Sequence, residues 1–383
     1  MISAAFTSGP AEALAGGRLT INLAALRSNY RLLAAKSAPA KAAAVVKADG
    51  YGLGVDLIVP ALLAEGCDTF FVAQAHEGVA VRALAPHARI FVIYGAPQGT
   101  ESCLIENRLI PLLCSPEQVD RWGQQIRARA AAIPFGIHVD TGMNRTGLTL
   151  AQGQLMGTHA DLLTTSGLCH VMTHPACADN VDDPMNHKQI ELFHKVQTIF
   201  SDVEASFSNS AATLTRGACG GQLTRPGIAL YGGEAVNGLA NPVLPVVTAE
   251  TRIIQIRHAK AGETVSYGAT QMLERDTVIA VCATGYADGL HRASGSGVSM
   301  RETGTPPACG WLAGHRVPVL GRVTMDFTMF DVTEVPASKL ETAEWIELFG
   351  QNVALDDAAR SAGTIGYELL TSLGRRYHRR IAA

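Results

Sequence analysis

The sequence predicts an α/β barrel followed by an all-β region: an N-terminal (β/α)8 TIM barrel over residues 19–241, a C-terminal β-rich domain over 242–383, and a loose lead-in at 1–18. Three observations predict it. Short apolar runs alternate with helical patterns about eight times over roughly 190 residues, the size of a closed (β/α)8 barrel. No G-x-G-x-x-G follows any of those runs, which argues against a doubly wound dinucleotide-binding sheet, the other fold that alternates in this way. From about Val246 the alternation stops, and strand-like runs separated by turns take over.

Composition narrows the function. The chain has 383 residues, 47% hydrophobic against 17% charged, which is ample apolar material for two cores. A net charge of −3 and the absence of Lys/Arg clusters interleaved with aromatics argue against a nucleic-acid partner. Met1 to Gly17 lacks the basic start and continuous apolar core of a secretory signal, and no run approaches membrane-spanning length. A soluble cytoplasmic protein is expected. Eight scattered cysteines without a Cys-x-x-Cys pair read as reduced core thiols.

In chain order, LTINLAALRSNYRLLAAK reads as a short strand and a helix capped by Asn22. Ala42 to Val46, five small or β-branched apolar residues, read as a strand buried on both faces and ended by Lys47. The loop Ala48 to Gly54 carries three glycines around Asp49 and Tyr51, so its backbone can approach a ligand closely. Read alone, Lys47 is better taken as an ordinary solvated charge that ends a strand. Strands then follow at DTFFVAQ, RIFVIYG, LIPLLCS, FGIHVDTG, SGLCHVM, EASFSN and LTRPGIALYG, with helices at 55–64, 77–84, near Glu101 and at 116–129.

A barrel collects its chemistry in the loops after its strands. Lys47 ends the first strand, DTGMNR (Asp140 to Arg145) follows the fifth, and THPACAD (Thr173 to Asp179) the sixth. SNSAAT (Ser208 to Thr213) follows the seventh, and RPGIALYG (Arg225 to Gly232) lies on or beside the eighth. Ser210 opens a helix and Gly227 offers a bare N–H, so these loops suit a phosphate, although Ser210 also reads as a simple N-cap. His170, His174, Cys177 and His187 can be read as metal ligands, but their spacing matches no standard zinc pattern, and no metal is expected.

Past a Pro-bearing linker at 237–245, the β-rich runs are VVTAETRIIQIRHA, TVIAVCATG, HRVPVLGRV, FTMFDVT and WIELFG. VSYGAT sets Tyr267 just after the Gly262-Glu263 turn; its ordinary reading is a hairpin tyrosine packed on a strand. GYADG around Tyr286, and GRVTMDF around Met325 and Asp326, read as loops without an evident packing purpose.

KADGYG, DTGMNR, THPACAD, NSAAT, RPGIALYG, VSYGAT, GYADG, GRVTMD and the terminal IGYELLTSLGRRY resemble, in order, the motifs of the alanine racemase family. The resemblance runs from about Leu19 onward. It implies an isomerase that interconverts L- and D-alanine with pyridoxal 5'-phosphate, for peptidoglycan synthesis or alanine breakdown. In the family the residue matching Lys47 holds the cofactor as a Schiff base and, once freed, acts as one base. The residue matching Tyr267 is the other, reaching the opposite face from the partner subunit, which implies a homodimer with shared active sites. A free phenol titrates near pH 10, so the site must favour the phenolate, with residues matching His174 and Arg225 assisting. Arg225 matches the arginine at the pyridine nitrogen, which separates racemases from barrel-fold decarboxylases with an acidic residue there.

The resemblance further implies phosphate contacts at Tyr51, Ser210, Gly227, Ile228 and Tyr367, and substrate contacts at Arg145, Met325 and Tyr286. One position departs from the pattern. Many family members have a carbamylated lysine where this chain has His138, and a histidine forms no such stable carbamate. Rival readings are a broader-specificity amino-acid racemase of the same fold, a barrel-fold decarboxylase and a non-catalytic pyridoxal-phosphate-binding protein.

Overall fold

Strand β1 (Gly17–Ile21) leads into helix α1 (Leu23–Ser37), and Asn22 caps that helix by accepting from the Ala25 N–H at 2.9 Å. The computed structural model describes residues 9–159, 163, 165–296 and 307–382, so residues 1–8 of the expected lead-in lie outside the described residues. The chain divides into two units. One holds residues 26–230 and 234–243; the other holds the residues up to Ala25, 231–233 and those from Leu244 onward.

In the first unit the run before Lys47 forms two short segments of one strand, β2 (Lys41–Ala42) and β3 (Ala44–Val45). It is followed by β4 (Thr69–Val72), β5 (Arg89–Val92), β6 (Ile110–Leu113), β7 (Phe135–His138), β8 (Leu168–Met172), β9 (Glu204–Ser206) and β10 (Leu223–Thr224). The parallel order is β2-β10-β9-β8-β7-β6-β5-β4-β3. Because β2 and β3 belong to one strand, that order closes a barrel of eight. Every residue of β4, β6 and β7 is buried, which explains why these strands read as continuous apolar runs rather than as alternations. The eighth strand is shorter than LTRPGIALYG predicts: Pro226 cannot donate to a ladder, and Ile228–Tyr231 turns into a 3-10 helix.

In the second unit, β11 (Val247–Ala259) is the long central strand. It is followed by β12 (Thr264–Val265), β13 (Gln271–Met272), β14 (Thr277–Cys282), β15 (Cys309–Leu312), β16 (His315–Leu320), β17 (Thr328–Asp331), β18 (Trp345–Phe349) and β19 (Tyr377–Ile381). The sheet order is β14-β17-β16-β15-β18-β11-β1-β19, and β14 also pairs with β11, so six of these strands curl back on themselves. β1 therefore belongs to this sheet, antiparallel to β11 and parallel to β19, rather than to the barrel that the sequence pattern starts at residue 19. Its alternating burial is the mark of a strand with one face inward, unlike the uniformly buried barrel strands. Among the described residues no helix is long and apolar enough to cross a membrane.

Candidate active site

Lys47 stands at the C-terminal end of β3, and the backbone turns left-handed directly after it. Ala48, Asp49, Gly50 and Tyr51 have φ of 53°, 54°, 61° and 56°. Only one of the four is glycine, and each L-residue held this way costs about 1–2 kcal/mol, so neighbouring contacts must impose the turn. Glu77 does so: its carboxylate accepts from the Ala48 N–H at 2.7 Å and from those of Ala73 and Gln74 at 2.8 and 3.0 Å. Asp49 ties down the other side by accepting from the Val55 N–H at 2.8 Å. Burial, then repulsion from Arg145, pulls the Lys47 amine below its ordinary range, against a smaller opposing pull from Glu77. A larger neutral fraction makes it a better nucleophile and base.

Arg225 follows β10 and is buried, 4% exposed. Its Nη2 donates to the Thr173 and Phe207 carbonyls at 2.7 and 3.0 Å and lies 3.3 Å from His174 Nδ1; its Nη1 donates to Ser206 Oγ. Among the described residues no carboxylate touches it. Burial brings it down to about 9, so it stays charged near neutrality. A charged guanidinium can only donate, which makes His174 Nδ1 an acceptor and places the single proton of a neutral His174 on Nε2. Burial and the nearby Arg225 push His174 well below the usual imidazole range, consistent with the neutral ring.

The phosphate-suited loops converge through Ser210. Its Oγ accepts from the Gly227 and Ala229 N–H groups at 2.8 and 3.3 Å, which leaves the hydroxyl proton free to donate. Ser210 is not the N-cap that the sequence also allows; Asn209 caps the helix Ser210–Arg216 by accepting from the Ala212 N–H. A side chain at Gly227 would put a Cβ 2.3 Å from the Tyr51 hydroxyl, so the tyrosine would have to shift, while Tyr51 and Ile228 are buried beside it. Asp140 shapes the loop to Arg145 by accepting from the Gly142, Met143 and Asn144 N–H groups, each at 2.9 Å. Arg145 itself is exposed. His138 is buried, 3.3 Å from the Thr146 hydroxyl, and burial together with the Arg225 and Arg145 charges lowers it to about 4. Neutral, it supplies no negative charge where the family carbamate sits.

The cluster raised as a metal candidate does not gather. His170 points to Glu204 and Ser206 inside the barrel and His187 pairs with Glu191 on a helix, and among the described residues no three potential ligands come together.

In the second unit Tyr267, Tyr286 and Met325 line one cavity of about 970 Å³. Tyr267 is 73% exposed, presented between Ser266 and Gly268, both at positive φ. The GYADG and TMDF loops have a packing purpose that sequence alone conceals. They bond to each other through Tyr286 N–H to Thr324 carbonyl and Ala287 N–H to Met325 carbonyl, and Asp288 and Asp326 both bind Arg376. Tyr367 lies partly exposed on the helix Gly366–Thr371. Sequence reading missed Glu77, Ser206 and Glu204; the weak signal for the last two was polar residues breaking an otherwise apolar barrel strand.

Comparison with known proteins accounts for both units. The model of the alanine racemase N-terminal domain matches residues 21–235, and that of the alanine racemase C-terminal domain matches residues 246–381. The biosynthetic alanine racemase of Agrobacterium fabrum is 48% identical over 94% of this chain and 93% of its own length. The alanine racemase of Rhizobium meliloti is 47% identical over 95% of this chain and 96% of its own length. A catabolic alanine racemase, also of Agrobacterium fabrum, is 39% identical over 95% and 92%. Among solved structures, alanine racemase from Bartonella henselae with covalently bound pyridoxal phosphate superimposes with a TM-score of 0.88 at 32% identity, covering 96% of this chain and all of its own. The biosynthetic enzyme of Pseudomonas aeruginosa gives 0.85 at 32% identity, with the same coverage. On these matches across both units, the chain belongs to the alanine racemase family.

Proposed function

We propose that the protein interconverts L- and D-alanine with pyridoxal 5'-phosphate as cofactor. The observation that carries this reading is the group Lys47, His174 and Arg225 in the loops after the barrel strands, with no carboxylate on Arg225 among the described residues. The residues present fit the cofactor. The cradle at Gly227 that a Cβ would fill suits a phosphate, as does the free donor of Ser210, and Lys47 is an amine with its proton affinity lowered. Tyr51, Ser210, Gly227, Ile228 and Tyr367 would hold the phosphate and Arg225 the ring nitrogen. When bound, the cofactor supplies an electron-withdrawing ring conjugated to the substrate nitrogen, which acidifies the α-carbon.

The remaining work falls to this chain. Inverting a carbon centre requires proton removal on one face and return on the other, hence two bases. Lys47 is one, and Tyr267 of the partner subunit is the other. The Nε2–H of His174 has no partner among the described residues and can donate to the phenolate oxygen, which favours that form of Tyr267. Arg225, charged and able only to donate, cannot protonate the ring nitrogen, which restrains transamination. Arg145 binds the substrate carboxylate together with the backbone of the partner's Met325, and the partner's Tyr286, which shares the Tyr267 cavity, closes on the substrate, with alanine the substrate. His138 replaces the carbamate with a neutral ring, so Asp140 rather than a carbamate shapes the Arg145 loop.

On this reading the active species is a homodimer in the cytoplasm, and D-alanine serves cell-wall peptidoglycan or enters alanine breakdown. The unit of residues 26–230 and 234–243, rather than 19–241 as the sequence pattern draws it, acts as the cofactor domain, and the other unit supplies the second base to the partner. The test follows the optical rotation of L-alanine with purified protein and cofactor. The rotation should decay to zero, and an unchanged rotation overturns the reading.

A further inference from the structure

The interior of a closed parallel barrel is ordinarily filled by layers of Val, Ile and Leu. Here a polar column occupies part of that space. Glu204 and Ser206, two apart on β9, share a face; His170 stands beside them on β8, paired in register with Glu204. His170 and Ser206 are 0% exposed, and the rings of Phe91 and Phe71 pack against the imidazole at centroid distances of 4.8 and 6.1 Å. Arg89, at the start of β5, grips the Glu204 carboxylate with two hydrogen bonds of 2.6 and 3.1 Å. Glu204 Oε1 lies 2.8 Å from His170 Nδ1, His170 Nε2 lies 2.7 Å from Ser206 Oγ, and Ser206 Oγ accepts from Arg225 Nη1 at 2.5 Å.

One arrangement of protons satisfies every member. Arg225 can only donate, so Ser206 Oγ accepts from it, and the serine proton goes to His170 Nε2. In this arrangement that nitrogen is bare, and the single imidazole proton is on Nδ1 and is donated to an ionised Glu204. Burial lowers His170 and keeps it neutral, while burial pushes Glu204 up but the bonds from His170 and Arg89 outweigh it and bring it to about 2. A buried network this complete is expensive to assemble, and an apolar layer would fill the same volume. Its inner end is bonded to Arg225.

We propose that Glu204, His170 and Ser206 are positioning residues, a hydrogen-bonded relay through the barrel interior that fixes Arg225 as a donor. This rests on the reading that Arg225 meets the cofactor ring nitrogen. The Thr173 and Phe207 carbonyls accept from Nη2 and hold it, and Nη1 is held by Ser206; Nε–H has no partner among the described residues and is left for the ligand.

The experiment has two arms. In the first, 15N-histidine NMR of the purified protein should show His170 as a neutral ring protonated on Nδ1; a doubly protonated ring or one protonated on Nε2 overturns the relay. In the second, the 15N shift of ring-labelled pyridoxal phosphate in the resting holoenzyme is compared across Arg225→Lys, Ser206→Ala, Ser206→Thr and Glu204→Gln. Pyruvate release relative to racemisation is measured alongside. Ser206→Ala and Glu204→Gln should move the ring-nitrogen shift and raise the pyruvate fraction on the order of tenfold, and Ser206→Thr, which keeps the hydroxyl, should restore both. A shift that answers Arg225→Lys but not Ser206→Ala overturns the relay alone. A shift indifferent to Arg225→Lys overturns the ring-nitrogen reading and the relay with it. Should Glu204→Gln fail to fold, the serine pair decides.

Discussion

The left-handed turn after Lys47 predicts a substitution whose effect has the opposite sign to the usual one. Ala48 is exposed, so replacing it by glycine removes almost no packing, and its φ of 53° is one that glycine adopts freely. Relief of the left-handed penalty is worth about 1–2 kcal/mol. Against it stands about 0.4–1 kcal/mol for the greater freedom of the unfolded chain. Ala48→Gly should therefore stabilise the barrel unit by about 0.5–1 kcal/mol, where glycine within an ordinary helix loses about as much. For a unit of this size that raises the melting midpoint by about 1–4 °C, read by scanning calorimetry at saturating cofactor. Ala48→Val, which forces a β-branched residue into the same conformation, should lower it by more than Ala48→Gly raises it. Turnover by Ala48→Gly should fall several-fold as the tether of Lys47 loosens. A lower midpoint for Ala48→Gly than for the parent protein would show that the turn stores no such strain, and would refute the reasoning.

Two other predictions follow from the same rim. His138 is held near 4 instead of about 6.5 when buried, so the folded protein binds its proton less readily than the unfolded chain does. The stability this contributes is fully present above pH 6.5 and is lost as pH falls towards 4, amounting to about 3 kcal/mol; urea unfolding across that range should lose this slope in His138→Gln. Gly227→Ala brings a methyl to 2.3 Å from the Tyr51 hydroxyl, and should weaken retention of pyridoxal phosphate by at least about tenfold in equilibrium dialysis while the protein remains folded.

The barrel was legible because its strands are buried on every side, and runs such as Phe70-Phe71-Val72 and Leu112-Leu113 are unbroken by polar residues. The loops that carry Lys47, Arg145, His174 and Arg225 stood out because each follows an apolar strand, while the roles of those residues rested on resemblance to the family rather than on the pattern. What escaped the sequence is what distant residues impose. Nothing in KADGY requires Ala48 and Asp49 to turn left-handed; the Glu77 carboxylate does, from a helix beyond the next strand. The pairing of β1 with β19 joins residues at opposite ends of the chain, and no local periodicity encodes it. Likewise His170, Glu204 and Ser206 look like flaws in two strands until the register sets them side by side. Asn209 and Ser210 differ by one position, and only the hydrogen bonds separate the cap from the residue that binds the Gly227 loop.

The central claim is that Lys47 and Tyr267 act as a pair drawn from two chains. Lys47→Ala and Tyr267→Phe proteins, each inactive alone, should be mixed under conditions that exchange subunits and assayed for racemisation. Half the dimers then combine one chain of each kind, and each such dimer regains one intact site, so an equal mixture should recover about a quarter of the parental activity. Exchange demonstrated by mass spectrometry with no recovered activity would contradict the account.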